Sequence, residues 1–260
     1  MLLVYIEFIT YCCQNYDRKS MSEFCSMSKR KLFLPKDCVR ARFVQRIKRF
    51  TILATKNGQK VFAHTNNSGS MLGLLKPGRT ILLSPAKNKA RKLPYTLELI
   101  DLDGFWVGVN TLVPNKMLKL IWENKLISEW VAYERFVPEA RFNKSRLDAR
   151  LEGPKGDLWI EAKNVTLVEE DVAYFPDAQS ERARKHMREL IGLAKHGHQV
   201  ACFYLIQRPD CKCFGPADFI DPEFARLFWQ AIKAGVKMYP YQAEVDEEGI
   251  GLGKKLPLIK

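Results

Sequence analysis

Short β-prone runs separated by turn signals fill residues 50–109, a spacing that leaves little room for helices. Phe50-Thr51-Ile52-Leu53-Ala54-Thr55 reaches Asn57-Gly58, the strongest short hairpin signal, and Lys60-Val61-Phe62-Ala63-His64 reads as the return strand. A Gly/Ser/Asn loop over 65–70 and a Pro77-Gly78 turn precede Arg79–Leu83, and further strands are expected at Tyr95–Ile100 and Trp106–Val109. Upstream, Val39–Leu53 partly fits both helical and strand spacings. Five or so short strands in so small a space predict a β-barrel of the OB type.

That segment also carries the charge. The chain has 42 Lys and Arg against 29 Asp and Glu, a net +13. Residues 27–110 hold 17 of the basic and 4 of the acidic residues, so the whole excess lies there. Such asymmetry predicts a polyanion-binding module joined to a near-neutral one, with nucleic acid as the leading partner. A membrane surface is not favoured, because no basic amphipathic helix with a strong apolar face is present. Nor does any run of about 20 apolar residues exist. At 47% hydrophobic and 27% charged, 260 residues can bury a real core, which excludes a mainly disordered chain.

Residues 1–32 are expected to be a leader. The opening MLLVYIEFITYCCQNY lacks the basic start and small-residue cleavage site of a signal peptide, and Met27 is the expected true start. The barrel is assigned to 33–110 and a second domain to 111–260. Seven cysteines (Cys12, Cys13, Cys25, Cys38, Cys202, Cys211 and Cys213) form no zinc-ribbon spacing and fit a reducing cytoplasm. Cys211 and Cys213 with His196 and His198 could ligate a soft metal, but a helix end followed by loop thiols is the simpler reading.

Past Asn110 the pattern becomes mixed. Helices are expected at 116–122, 177–196 and 222–235, with strands at 146–151, 158–167, 199–206 and 236–241, an α/β domain. Asp177 or Ser180 would cap the second helix.

One hairpin carries chemistry. A turn at Gly153–Asp157 brings Asp148 opposite Glu161–Ala162, and Glu161 and Lys163, two apart, share a sheet face. Two carboxylates suit Mg²⁺ or Mn²⁺, which take hard oxygen ligands and keep several waters. A lysine beside them can orient an attacking water or offset charge on a phosphate. Asp…Glu-x-Lys on paired strands resembles the PD-(D/E)xK nuclease superfamily. A solvated hairpin face with a cross-strand ion pair is the plain alternative.

A wider resemblance is spread over roughly 40–258. It runs through Arg46–Phe50, Asn67–Met71, Lys92–Thr96, Val109–Leu112, Ser145–Asp148, Ile160–Leu167, Phe175–Ala178, and Ser180–Arg182 with Lys185-His186. In these blocks the chain resembles the sugar fermentation stimulation protein A family. The resemblance implies an OB-like barrel followed by a nuclease-like α/β domain, DNA binding with little sequence preference, and a role in regulating sugar (maltose) metabolism. It also points to Glu139 as a third metal carboxylate, against surface pairing with Arg141. Ala149, Ala162, Arg184 and Met187 depart from the family pattern without touching Asp148, Glu161 or Lys163.

Two functions follow. In the first, the protein binds DNA through Arg46, Lys48, Arg49, Lys87, Lys89, Arg91 and Lys92, joined by Arg146, Arg182, Lys185 and His186. In the second it is a metal-dependent nuclease in which Asp148 and Glu161 hold the ion and Lys163 positions water. RNA stays open as the polymer, and no helix-turn-helix signals an operator-reading regulator.

Overall fold

The computed structural model describes residues 30–88, 90–142 and 145–259. The leader up to residue 29, with Met27 and its three cysteines, and Lys89 lie outside the described residues.

The strands read from turn signals are present. They are β2 (Val39–Ile47), β3 (Thr51–Lys56), β4 (Gln59–His64), β5 (Thr80–Pro85), β6 (Tyr95–Asp101) and β7 (Trp106–Gly108). Their order is β4-β3-β2-β5-β6-β7, and β4 closes on β6 through Ala63–Tyr95 and His64–Thr96. Asn57 and Gly58 both have positive φ (49° and 78°), as a type I′ turn requires, so the β3–β4 register runs unbroken from Lys56–Gln59 to Thr51–His64. Residues 39–47, ambiguous in sequence, form a strand because Ala41 and Phe43 enter the barrel while Arg40 and Arg42 face water. A bulge between Phe43 and Gln45 then re-aims that alternation.

The second domain is built on a seven-stranded sheet whose spatial order is β1 (Lys31–Phe33), β18 (Gly249–Lys255), β17 (Lys237–Asp246), β15 (Gln199–Ile206), β12 (Leu158–Val165), β11 (Ala149–Glu152) and β8 (Arg135–Pro138), with β9 (Arg141–Phe142) and β10 (Ser145–Arg146) paired apart from it. β12, β15 and β17 are parallel and central. Helix α1 (Val113–Glu123) covers one face; α2 (Glu181–Lys195) and α3 (Pro222–Lys233) cover the other. Along β15, Val200, Cys202, Tyr204 and Ile206 meet α2 and α3, while Ala201, Phe203 and Leu205 meet the α1 side. Covering both faces explains why this strand reads as one apolar run. Among the described residues no helix is long and apolar enough to cross a membrane.

Three expectations change. Lys31 and Leu32, grouped with the leader, and Phe33, grouped with the barrel, form an edge strand of the second domain's sheet, paired with Gly249–Gly251. A Cβ at Gly249 would sit 2.3 Å from the Leu32 carbonyl oxygen, so only glycine lets this edge approach. The helix expected from 177 begins at Glu181, capped by Ser180, whose Oγ accepts the Ala183 N–H at 3.2 Å. Asp177 is engaged elsewhere. A small sheet of β13 (Leu167–Glu169), β14 (Val172–Phe175) and β16 (Cys213–Pro216) was not foreseen. β13 and β14 form a local hairpin across Glu170-Asp171, but β16 joins β14 from about 40 residues away, beyond the reach of local patterning.

Candidate metal-binding and phosphodiester site

The hairpin register expected from sequence is present: Ala149 pairs with Ile160 and Leu151 with Leu158, which sets Asp148 across from Glu161. Asp148 Oδ2 accepts the Ala162 N–H at 2.8 Å, and its Oδ1 accepts from Asn115 Nδ2 at 2.7 Å. Asn115, in the first turn of α1, carried no signal in the sequence. Burial, followed by the charge of Glu161, pushes the Asp148 carboxyl above the usual range.

Glu161 is 3% exposed. Glu161 and Lys163 pair with Cys202 and Tyr204 of β15, which places them on the α2 side of the sheet. There Oε1 of Glu161 accepts from both Lys163 Nζ and His186 Nδ1. Lys163 Nζ lies 3.3 Å from that ring nitrogen. Burial alone would raise the Glu161 carboxyl, but Lys163 and His186 together outweigh it and hold it below the usual range. His186, expected at a phosphate, is thus the partner of a carboxylate.

The donor set suits a hard divalent cation. Glu161 is buried and Asp148 part-buried, each retains oxygen lone pairs beyond the bonds above, and the repulsion at Asp148 is only partly offset by the Ala162 N–H, Lys163 and Asn115. The expected third carboxylate does not join them. Glu139 donates its backbone N–H to the Asp148 carbonyl at 2.9 Å, but its side chain is exposed and pairs at 3.6 Å with Arg146 rather than with Arg141. Among the described residues no cluster of three His, Cys, Asp or Glu side chains has metal-holding geometry. Protein would therefore supply two carboxylates, and water the remainder.

The basic residues divide into two kinds. Arg46 gives its guanidinium to the carbonyls of Arg49, Asn67 and Gly69 at 2.6–3.0 Å, and burial lowers its pKa. Arg91 likewise bonds the Leu93 and Tyr95 carbonyls at 2.7 and 2.6 Å. Both staple loops: Arg46 commits four of its five N–H donors, against the expectation that it is free for phosphate, whereas Arg91, bonded also to Thr96 Oγ1, commits three and keeps its Nη1. Lys48, Arg49, Lys87 and Lys92 are exposed on the barrel, as are Arg182 and Lys185 on α2.

A cleft of about 320 Å³ runs from the barrel to Lys163; Asp148 and Glu161 are not among the residues that line it. Arg49, Asn67 and Ser68 of the barrel line one side; Lys163, Asn164 and Gln179 line the other. The barrel loop is fastened over it: Ser70 Oγ donates to the Asp177 carbonyl at 2.6 Å, and the Met71 N–H donates to Asp177 Oδ2 at 2.9 Å. A Cβ at Gly69 would stand 2.6 Å from the Asp177 carboxylate, so a side chain there would force the loop away.

Barrel, sheet and hairpin together define a two-domain protein, a small OB-type barrel followed by a nuclease-like α/β domain. Comparison with known proteins agrees. The profile described as "SfsA N-terminal OB domain" matches residues 44–109, and "Sugar fermentation stimulation protein RE domain" matches 112–249. The sugar fermentation stimulation protein homolog of Syntrophobacter fumaroxidans is 56% identical over 86% of this chain and 86% of its own length. That of Maridesulfovibrio salexigens is 53% identical, covering 89% and 98%. The structure of Pyrococcus furiosus SfsA in complex with Ca²⁺ superposes with a TM-score of 0.83 at 27% identity, over 88% of this chain and 99% of that one. The chain belongs to the sugar fermentation stimulation protein (SfsA) family.

Proposed function

We propose that this protein binds nucleic acid, DNA first among the candidates, with little sequence preference, and that Asp148, Glu161 and Lys163 form a metal-dependent phosphodiester-cleaving site. The observation that carries this reading is the pairing of a buried and a part-buried carboxylate, Glu161 on β12 and Asp148 just before β11, beside a lysine that lines a cleft whose other wall is the basic barrel. Bare carboxylates there would repel a phosphate, so a module used only for binding gains nothing from them.

Asp148 and Glu161 would hold Mg²⁺ or Mn²⁺; when bound, such an ion polarises water and offsets charge building on the phosphate. Asn115 and the Ala162 N–H fix the Asp148 carboxylate. Lys163, held by Glu161, reaches the cleft and orients the attacking water. His186 holds the second oxygen ligand in place from α2. The complex of Pyrococcus furiosus SfsA with Ca²⁺ is consistent with a hard-cation site.

The test is incubation of the full chain with labelled single- and double-stranded DNA and RNA in EDTA, Mg²⁺ and Mn²⁺, beside Glu161→Ala. Metal-dependent cutting that Glu161→Ala abolishes, with binding in EDTA retained, is the expected result. Equal cutting by Glu161→Ala would remove the site assignment, and salt-sensitive binding without cutting in any metal would leave a binding protein on a nuclease scaffold.

A further inference from the structure

The outer face of the barrel carries a row of aromatic rings that neither the core nor the carboxylate site uses. On β4, Lys60, Phe62 and His64 alternate with the interior Ala63 and share the outward face. Phe62 is 41% exposed. Phe50, 43% exposed, stacks on His64 with ring centroids 6.0 Å apart and planes at 28°. The Arg49 guanidinium lies over the Phe50 ring, 5.6 Å from its centroid, and Arg49 also lines the cleft beside Lys163. Rings, guanidinium and cleft thus form one continuous path.

Single exposed phenylalanines are ordinary on a protein surface. Here two share a patch with a stacked imidazole, and the segment that carries them holds charge of one sign: no Asp or Glu occurs in 38–97, while Lys48, Arg49 and Lys60 are exposed. Phe62 is open to solvent, and Phe50 stays 43% exposed although His64 and Arg49 lie against its ring; aromatic surface set among cations matches a polyanion that presents flat apolar faces of its own. Unpaired nucleic acid does so; in a duplex the base faces are already stacked on one another and closed to a protein ring.

We infer that Phe50, Phe62 and His64 form a base-stacking platform for single-stranded nucleic acid, with Arg49 passing the adjoining phosphate into the cleft at Lys163. The inference rests on the nucleic-acid reading above and narrows its substrate to an unpaired strand. Phe50 and Phe62 would stack bases, while Lys48 and Lys60 would follow the backbone.

The test is fluorescence anisotropy with the full chain in EDTA, using labelled oligo(dT) of about 12 nucleotides and a duplex of mixed sequence. Phe50→Ala with Phe62→Ala should weaken oligo(dT) binding by about 10- to 100-fold and leave duplex binding within about twofold. Phe50→Trp should retain oligo(dT) binding, and its added indole emission should be quenched by the oligonucleotide. If the double alanine variant melts early, that quenching decides the matter alone: its presence supports the platform and its absence overturns it. A folded double variant that binds oligo(dT) as the unaltered protein does, or that loses both polymers equally, also overturns the platform. Unaltered protein that binds neither polymer at low salt overturns the nucleic-acid reading itself.

Discussion

The Asp177 carboxylate accepts the backbone N–H of Met71 at 2.9 Å, so a residue from the strand-to-helix connection of one domain secures a loop of the other. The same residue's carbonyl takes the Ser70 hydroxyl, and Asn66 is tied to Asn110 at 3.0 Å nearby. The cleft beside Lys163 is therefore bridged by charge-assisted and neutral bonds, while Leu82, Leu99 and Trp106 of the barrel pack into the apolar cluster of α1 and the sheet. Asp177→Ala leaves the part-buried Met71 N–H without its acceptor and should cost about 1–3 kcal/mol of stability, read as a lowered urea midpoint. An unchanged midpoint would show that the loop holds its place without this bond.

Asp148 sets a dependence on pH. Burial and Glu161 raise its carboxyl in the folded state, so the folded protein holds that proton to higher pH than the unfolded chain. The corresponding stability is fully present below the unfolded value and is lost as pH rises through the folded one. In EDTA, Asp148→Asn should therefore melt above the unaltered protein at pH 7, with the gap closing as pH falls into the carboxylate range. Millimolar Mn²⁺ should raise the melting temperature of the unaltered protein alone. Melting curves across pH, with and without metal, check both halves; a gap independent of pH would remove Asp148 as its source.

Glu161 and Lys163 form a pair whose members need each other. Glu161→Gln leaves a largely buried ammonium without its carboxylate and should cost about 3 kcal/mol. Lys163→Met leaves Glu161 the His186 partner and should cost less. The double variant should recover part of the loss, giving a coupling of about 1–3 kcal/mol in a denaturation cycle. Additive losses would mean that the two side chains are independent.

Local pattern was enough to place Asp148, Glu161 and Lys163, because a hairpin register and a two-residue period are short-range facts. The barrel strands were legible for the same reason: Asn57-Gly58 and Pro77-Gly78 punctuate them. What stayed hidden was set by contacts distant in sequence. Asn115 reaches Asp148 across 33 residues, His186 reaches Glu161 across 25, and Asp177 reaches Met71 across 106. Arg46 shows the converse error: a cation in a basic run looks available for phosphate until folding surrounds it with carbonyls.

Cys202 tests the double-sided burial of β15. It has no exposed surface, and burial pushes its thiol up to about 12. Native protein treated with iodoacetamide at pH 8 should leave the Cys202 peptide unmodified while Cys213, partly exposed, is labelled. In urea both should react. Native labelling of Cys202 at a rate like that of Cys213 would mean that the central strand opens readily.

The two kinds of arginine on the barrel predict different responses to salt. Each cation that contacts phosphate releases condensed counterions on binding, so removing one lowers the slope of log affinity against log salt by about 0.7–0.9. Arg49→Ala should do this in EDTA with little effect on stability, because its guanidinium is exposed. Arg46→Ala should do the reverse. Its guanidinium bonds three backbone carbonyls that tie the 65–70 loop to the β2–β3 turn, so its removal should lower the melting temperature. The salt slope of the folded fraction should stay as it was. Slopes measured by anisotropy between about 50 and 200 mM salt, beside melting curves of the same preparations, separate a phosphate contact from a structural one. A reduced slope for Arg46→Ala would return that residue to the binding surface.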